Sequence, residues 1–141
     1  MKTIKLLKVL PILFISTLSF AEEHTLPTEP YSEELFLKLV ASYKNQQTTY
    51  FKIITNLSLK AAEKSKQGIT DDGDTKLIIT FMCEAYRNSK DGHSLINRYP
   101  QYKNQVSAEA KSLETSYKDY HRMMKINYDN DFYRCQYYKP E

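Results

Sequence analysis

The run KLIITFMCEAYRN, Lys76 to Asn88, limits the possible folds more than any other part of the chain. Leu77, Ile78, Ile79, Phe81, Met82, Ala85 and Tyr86 leave it almost no polar face. A short strand centred on Leu77–Thr80 is the competing assignment. Positions 78, 82, 85 and 86, however, continue at helical spacing beyond the length of a strand. The expectation is a buried central helix, with Phe81 and Tyr86 in the core and amphipathic segments wrapped around it.

The longest of those segments lies upstream. Ser32 is a good N-cap, and Glu33 and Glu34 follow in the first turn, where carboxylates favour the helix dipole. No glycine or proline interrupts the chain from there to Gln67. Phe36, Val40, Tyr43, Gln47, Tyr50, Ile54, Leu57 and Ala61 alternate spacings of four and three. They form one stripe on a helix of up to about 35 residues, with Gln47 its single polar member. The polar patch Asn45–Thr49 is its weakest stretch and a candidate break. Lys60, Lys64 and Lys66 before Gly68 make a C-terminal signature.

Downstream, Ile69–Asp74 reads as a polar connector whose aspartates cap the central helix. It resembles part of a calcium loop, but the glycine is misplaced and the required glutamate is missing. Ser89–Gly92 reads as a turn and His93–Tyr99 as a short helix or loop. From Pro100 a helix is expected to about Asn127, with Tyr102, Val106, Ala110, Leu113, Tyr117, Tyr120 and Met124 on one face. Asp129, Asn130 and Asp131 offer a cap for a last short segment, Phe132–Tyr138. The fold class expected is all-α, a small bundle of about four helices.

The N-terminus has a different character. Lys2, Lys5 and Lys8 precede the apolar run Val9–Phe20, and Ser19 and Ala21 occupy the small positions of a cleavage site. The run is too short for a membrane span, and no cysteine follows it for a lipid anchor. Residues 1–21 therefore read as a bacterial-looking signal peptide, 22–31 as a flexible leader and 32–141 as one helical domain. The roughly 120 remaining residues suffice for a single core. The expected compartment is the periplasm.

Cleavage changes the charge argument. The full chain has a formal charge of +3, with twenty basic and seventeen acidic residues. Three of the basic residues and none of the acidic ones precede the cleavage site, so the mature chain is formally neutral. Neither a nucleic-acid partner nor a membrane partner after cleavage is expected from such a balance.

Cys83 and Cys135 are the two cysteines. In an exported protein they most simply form one disulfide. Closing a loop of about fifty residues contributes at most about 4 kcal/mol in the chain-entropy description. Twelve tyrosines and no tryptophan suit a thin helical domain whose rings pack while their hydroxyls stay at a polar rim. They also suit a protein-binding surface.

Catalytic parts are scarce. His93 and His121 adjoin no nucleophile motif, and no histidine spacing suggests a metal site. Glu109 and Glu114 fall on different sides of their helix, which argues against a carboxylate pair. Three isolated glycines make no phosphate loop. Asn56-Leu57-Ser58 matches a glycosylation sequon, but within a helix. The residues thus point away from an enzyme, with no cofactor and no metal expected.

Thr80-Phe81-Met82-Cys83-Glu84-Ala85-Tyr86, followed by Tyr133-Arg134-Cys135-Gln136-Tyr137-Tyr138 near the C-terminus, resembles periplasmic immunity proteins of type VI secretion amidases. The similarity covers residues 76–138. It implies a small exported helical protein whose two cysteines pair and which plugs the cleft of an injected peptidoglycan amidase. The partner expected is thus a secreted toxin, bound without catalysis. Connectors are free to enter a cleft, so Asp71, Asp72 and Asp74, then Asp91 and His93, are the candidate contact residues. A helical envelope chaperone or structural binding protein is the alternative, and homodimer formation is left open.

Overall fold

The computed structural model describes residues 32–70, 72–129 and 134–140. The expected signal peptide and leader, Asp71, and the cap residues Asn130 and Asp131 lie outside them. The described chain is all-helical: α1 (Glu33–Lys66), α2 (Asp72–Arg98), a 3₁₀ stretch (Pro100–Val106) and α3 (Ser107–Ile126). Three α-helices therefore form the domain, not four, and the Cys83–Cys135 disulfide links α2 to the C-terminal tail. Among the described residues, no helix is long and apolar enough to cross a membrane.

α1 follows its sequence signals closely. The Ser32 side chain accepts a hydrogen bond from the Leu35 amide at 3.3 Å, satisfying an amide that the first turn would otherwise leave unpaired. At the other end Gly68 takes a positive φ of 74°. Its amide donates to the Ser65 carbonyl, and the Ile69 amide to that of Lys64, both at 3.0 Å. This is a Schellman closure, which needs a residue without a Cβ at that position. The polar patch does not break the helix. Thr48 and Thr49 turn their hydroxyls back onto the Lys44 and Asn45 carbonyls at 3.1 Å. All eight stripe positions are buried or half-buried.

α2 differs most from expectation. The turn expected at Ser89–Gly92 is helical, and so is His93–Arg98. Gly92 serves packing there. A Cβ at Gly92 would stand 3.1 Å from both Tyr43 Cβ and Leu113 Cδ1, so the glycine lets all three helices approach at one point. The apolar run expected to be the core is not its deepest part. Leu77 is 47% exposed, and Ile78, Ile79, Phe81 and Met82 are half-buried. Tyr86 is buried as expected, but Phe81 is not. The reason is the reach of α3: at 1.5 Å per residue α1 runs about 51 Å, α2 about 40 Å and α3 only about 30 Å.

The helices run up, down and up. Phe36, Val40, Leu95, Ile96, Tyr99, Val106, Ala110 and Leu113 form a lower core. Cys83, Ala85, Tyr86, Tyr120, Met124, Cys135 and Tyr138 form an upper one. Polar groups lie between them. The Gln47 amide donates to the Ser112 carbonyl at 3.1 Å and to the Ser116 hydroxyl. Lys44 Nζ donates to Ser112 Oγ at 2.6 Å, and Asn88 Nδ2 to the Tyr43 carbonyl at 3.0 Å. These bonds fix the α1–α3 and α1–α2 registers and give buried polar groups partners. Beyond the upper core, the end of α1 and the start of α2 continue as a two-helix arm.

Two further expectations change. Pro100 opens a 3₁₀ turn, with the Tyr102 amide donating to the Tyr99 carbonyl at 3.1 Å, and the α-helix begins at Ser107. The terminal segment expected to be helical is not so over residues 134–138. It makes a turn in which the Tyr138 amide donates to the Cys135 carbonyl at 3.2 Å. Phe132 and Tyr133 lie outside the described residues.

Candidate partner-binding surface

The arm ends in an ion pair between its helices. Asp74 is 6% exposed, and its carboxylate lies 2.6 Å from Lys64 Nζ and 3.9 Å from Lys60 Nζ. A carboxylate that deep requires a cation, and the last turn of α1 supplies it. Asp74 thus fastens the two helices together. Asp72 is exposed one residue into α2.

Asp91 and His93 lie on a helix, not on the connector expected for them, and both are half-buried. The His93 ring stacks on Tyr117 with centroids 5.6 Å apart and 13° between planes. Its Nε2 is 2.9 Å from Asn97 Nδ2. Seventeen residues separate Asp74 from Asp91, about 25 Å along α2. The candidate contact residues therefore form two patches, one at the arm tip and one beside α3.

Between those patches lies a wall of rings that the sequence announced only as an excess of tyrosine. Tyr117 stacks on Tyr86 at 5.8 Å, and Tyr138 meets Tyr86 edge-on at 5.8 Å and His121 at 5.1 Å. His121 Nδ1 is buried with no hydrogen-bond partner among the described residues. The Arg87 guanidinium lies 4.6 Å over the Tyr137 ring and donates to its hydroxyl at 3.1 Å. Arg134 covers Tyr128 at 4.4 Å and also donates to its hydroxyl. Burial pushes the Tyr120 hydroxyl above the ordinary phenol range, with Asp119 adding to it. The tail packs against α2 and α3, on Tyr86, Arg87 and His121.

Where the wall meets the arm, a groove of about 220 Å³ opens beside Cys83, lined by Lys76, Ile79, Thr80, Glu84 and Arg134. Large apolar side chains stand exposed on the arm and at its base: Phe51 at 63%, Leu59 at 61%, Ile69 at 50% and Leu77 at 47%. Sequence reasoning missed Phe51 and Leu59 because neither belongs to the α1 stripe. Their being apolar on an otherwise polar flank was the available signal.

Glu109 and Glu114 do not form a pair. Lys118 donates to Glu114 at 2.6 Å, and that hydrogen bond is the main reason its carboxyl lies below the usual glutamate range. No three His, Cys, Asp or Glu side chains converge as a metal site among the described residues. No protein-family model, curated protein or solved structure matches the chain.

Proposed function

We propose that this is a periplasmic protein-binding domain that neutralises a cell-wall-degrading toxin, an amidase by the resemblance of residues 76–138, by occluding its cleft. The observation that carries the binding reading is the exposed apolar set on the arm, Phe51, Leu59 and Leu77. A two-helix projection with apolar groups and few buried ones of its own has the shape and chemistry to enter a cleft. The pairing of Cys83 with Cys135, which the resemblance implies, agrees with the amidase assignment.

Co-expression with a peptidoglycan amidase toxin, taken from beside this gene if one is encoded there and directed to the periplasm of a sensitive host, tests the reading. The mature protein should rescue growth and co-purify with the toxin. Phe51→Asp together with Leu59→Asp should abolish rescue while leaving the helical circular dichroism unchanged. Failure of the unaltered protein to rescue or co-purify would remove the immunity reading and favour the envelope-chaperone alternative. Rescue that survives both arm substitutions but fails with Asp91→Ala and His93→Ala would keep the function and move the surface to the α3 side.

A further inference from the structure

The disulfide stands apart from an ordinary core staple in three respects. Its first sulfur belongs to a helix, but its second belongs to a tail with no helical hydrogen bonding over residues 134–140. Cys83 lines the solvent-open groove together with the cations Lys76 and Arg134 and with Glu84, whose carboxylate is paired with Arg87 at 2.9 Å. The tail's described attachments beside the bond are ring contacts and side-chain hydrogen bonds, chiefly Tyr138 on His121 and Tyr86 and Tyr137 on Arg87. The helices beneath it are closed by their own backbone hydrogen bonds.

We infer that the Cys83–Cys135 bond is a thiol-exchange site, and that opening it releases the C-terminal tail from the aromatic wall. The reactant is a dithiol, of the kind a Cys-x-x-Cys oxidoreductase carries. Its thiolate enters the groove and attacks Cys83 Sγ. A new sulfur–sulfur bond forms there, the Cys83–Cys135 bond breaks, and its electron pair leaves on Cys135 Sγ, which takes a proton from water. The second thiolate of the dithiol then displaces Cys83 Sγ, which is protonated in turn. The protein disulfide is reduced by two electrons and the dithiol oxidised by two. Lys76 and Arg134 favour the anionic sulfurs of both steps, because a cation beside a thiolate stabilises it.

The leaving sulfur departs on the tail, and Tyr138 goes with it, since Cys135 and Tyr138 share one turn. Lifting Tyr138 uncovers Tyr86, now at 2% exposure, and opens the cluster to which both rings belong. It also lets water reach His121 Nδ1, which has no hydrogen-bond partner among the described residues. The consequence is a switch between a covered and an exposed aromatic face on an unchanged three-helix frame.

The experiment is reduction of the purified oxidised protein with dithiothreitol, followed by thiol alkylation and mass measurement. Attack through the groove predicts a rate proportional to dithiol concentration and unchanged by urea well below the unfolding transition. A rate that rises with such urea, or that stops depending on dithiol, means that the bond is reached only after opening of the fold, and overturns the exchange site. With glutathione in place of the dithiol, the trapped mixed disulfide should sit on Cys83; trapping on Cys135 would refute the assigned direction. After reduction the far-UV circular dichroism should persist while a dye that reports exposed apolar surface begins to bind. Loss of the helical signal, or retained helicity without dye binding, would show that the tail is no latch. Tyr138→Ala in the oxidised protein provides the check in which no thiol chemistry occurs: dye binding should rise there with the bond intact.

Discussion

The lower and upper cores solve the same problem with different means. In the lower half Phe36, Val40, Leu95, Ile96, Tyr99, Val106 and Leu113 come from all three helices, the 3₁₀ stretch and the residue before it, and non-covalent burial, largely aliphatic, is sufficient. In the upper half α3 is in its last turns, and a non-helical tail packs beside it. Tyrosines and a disulfide supply what a fourth helical face would otherwise contribute. A helix brings its own satisfied backbone and a continuous apolar stripe. A short tail brings isolated side chains and must be held by rings with polar rims and by a covalent bond. The arm lies one step further along that gradient: only two helices remain, and large apolar groups are left exposed. The most adaptable chemistry of the molecule lies where the bundle is thinnest.

The largest expected effect separates the two regions directly. Phe36→Ala should cost about 3–5 kcal/mol, because Phe36 is fully enclosed and its removal leaves a cavity. Phe81→Ala, in the half-exposed start of the upper region, should cost less than half as much. Urea denaturation of both variants measures the difference, and equal losses would erase the distinction between the cores.

Next in size is the covalent link. Replacing Cys83 and Cys135 together by alanine should cost about 2–4 kcal/mol for a bond that spans 52 residues. The loss should appear as faster amide exchange around Tyr120 and Met124 while the lower core keeps its protection. Exchange that rises equally in both halves would make the domain one cooperative unit.

Gly92→Ala sharpens the picture at the point where three helices meet. Alanine gains helix propensity of about 1 kcal/mol. Its methyl would nevertheless press on Tyr43 Cβ, which cannot rotate away, and on Leu113. Overpacking costs about 1–3 kcal/mol, so the net effect should be a loss of about 1 kcal/mol. A gain in stability would show that the crossing is looser than it looks.

The smallest effect concerns pH. Burial is the main cause that raises the hydroxyl pKa of Tyr50 and Tyr120, helped by Glu84 and Asp119 respectively. A folded pKa above the unfolded one contributes stability that is fully present below about pH 10. That contribution is lost as pH climbs through the folded value. Stability should therefore be indifferent to these rings near neutrality and fall in alkali, and Tyr120→Phe should soften the fall. Phenolate absorbance followed alongside unfolding checks the sign.

Features under local chemical control were readable from the order of residues alone. Ser32, the unbroken stripe from Phe36 to Ala61, and Gly68 specified α1 to its ends, because caps, periodicity and a residue tolerant of positive φ act within a turn or two. The Tyr102–Met124 stripe was legible for the same reason, though its first turns are 3₁₀, and a chain with two cysteines left one simple pairing. The remaining features depend on contacts between residues far apart in the chain. Gly92 looked like a turn because a glycine's local preference is freedom; its role in the helix comes from Tyr43 and Leu113, which are remote in sequence. Asp74 looked like a cap until Lys64 met it across the hairpin. Lys76–Asn88 looked like the centre because it is the most apolar run. Depth, however, is set by how many neighbours reach a residue, and α3 stops before it reaches Leu77. Hydrophobicity states how much a side chain gains by burial, and only the lengths and directions of the other helices determine whether it is buried.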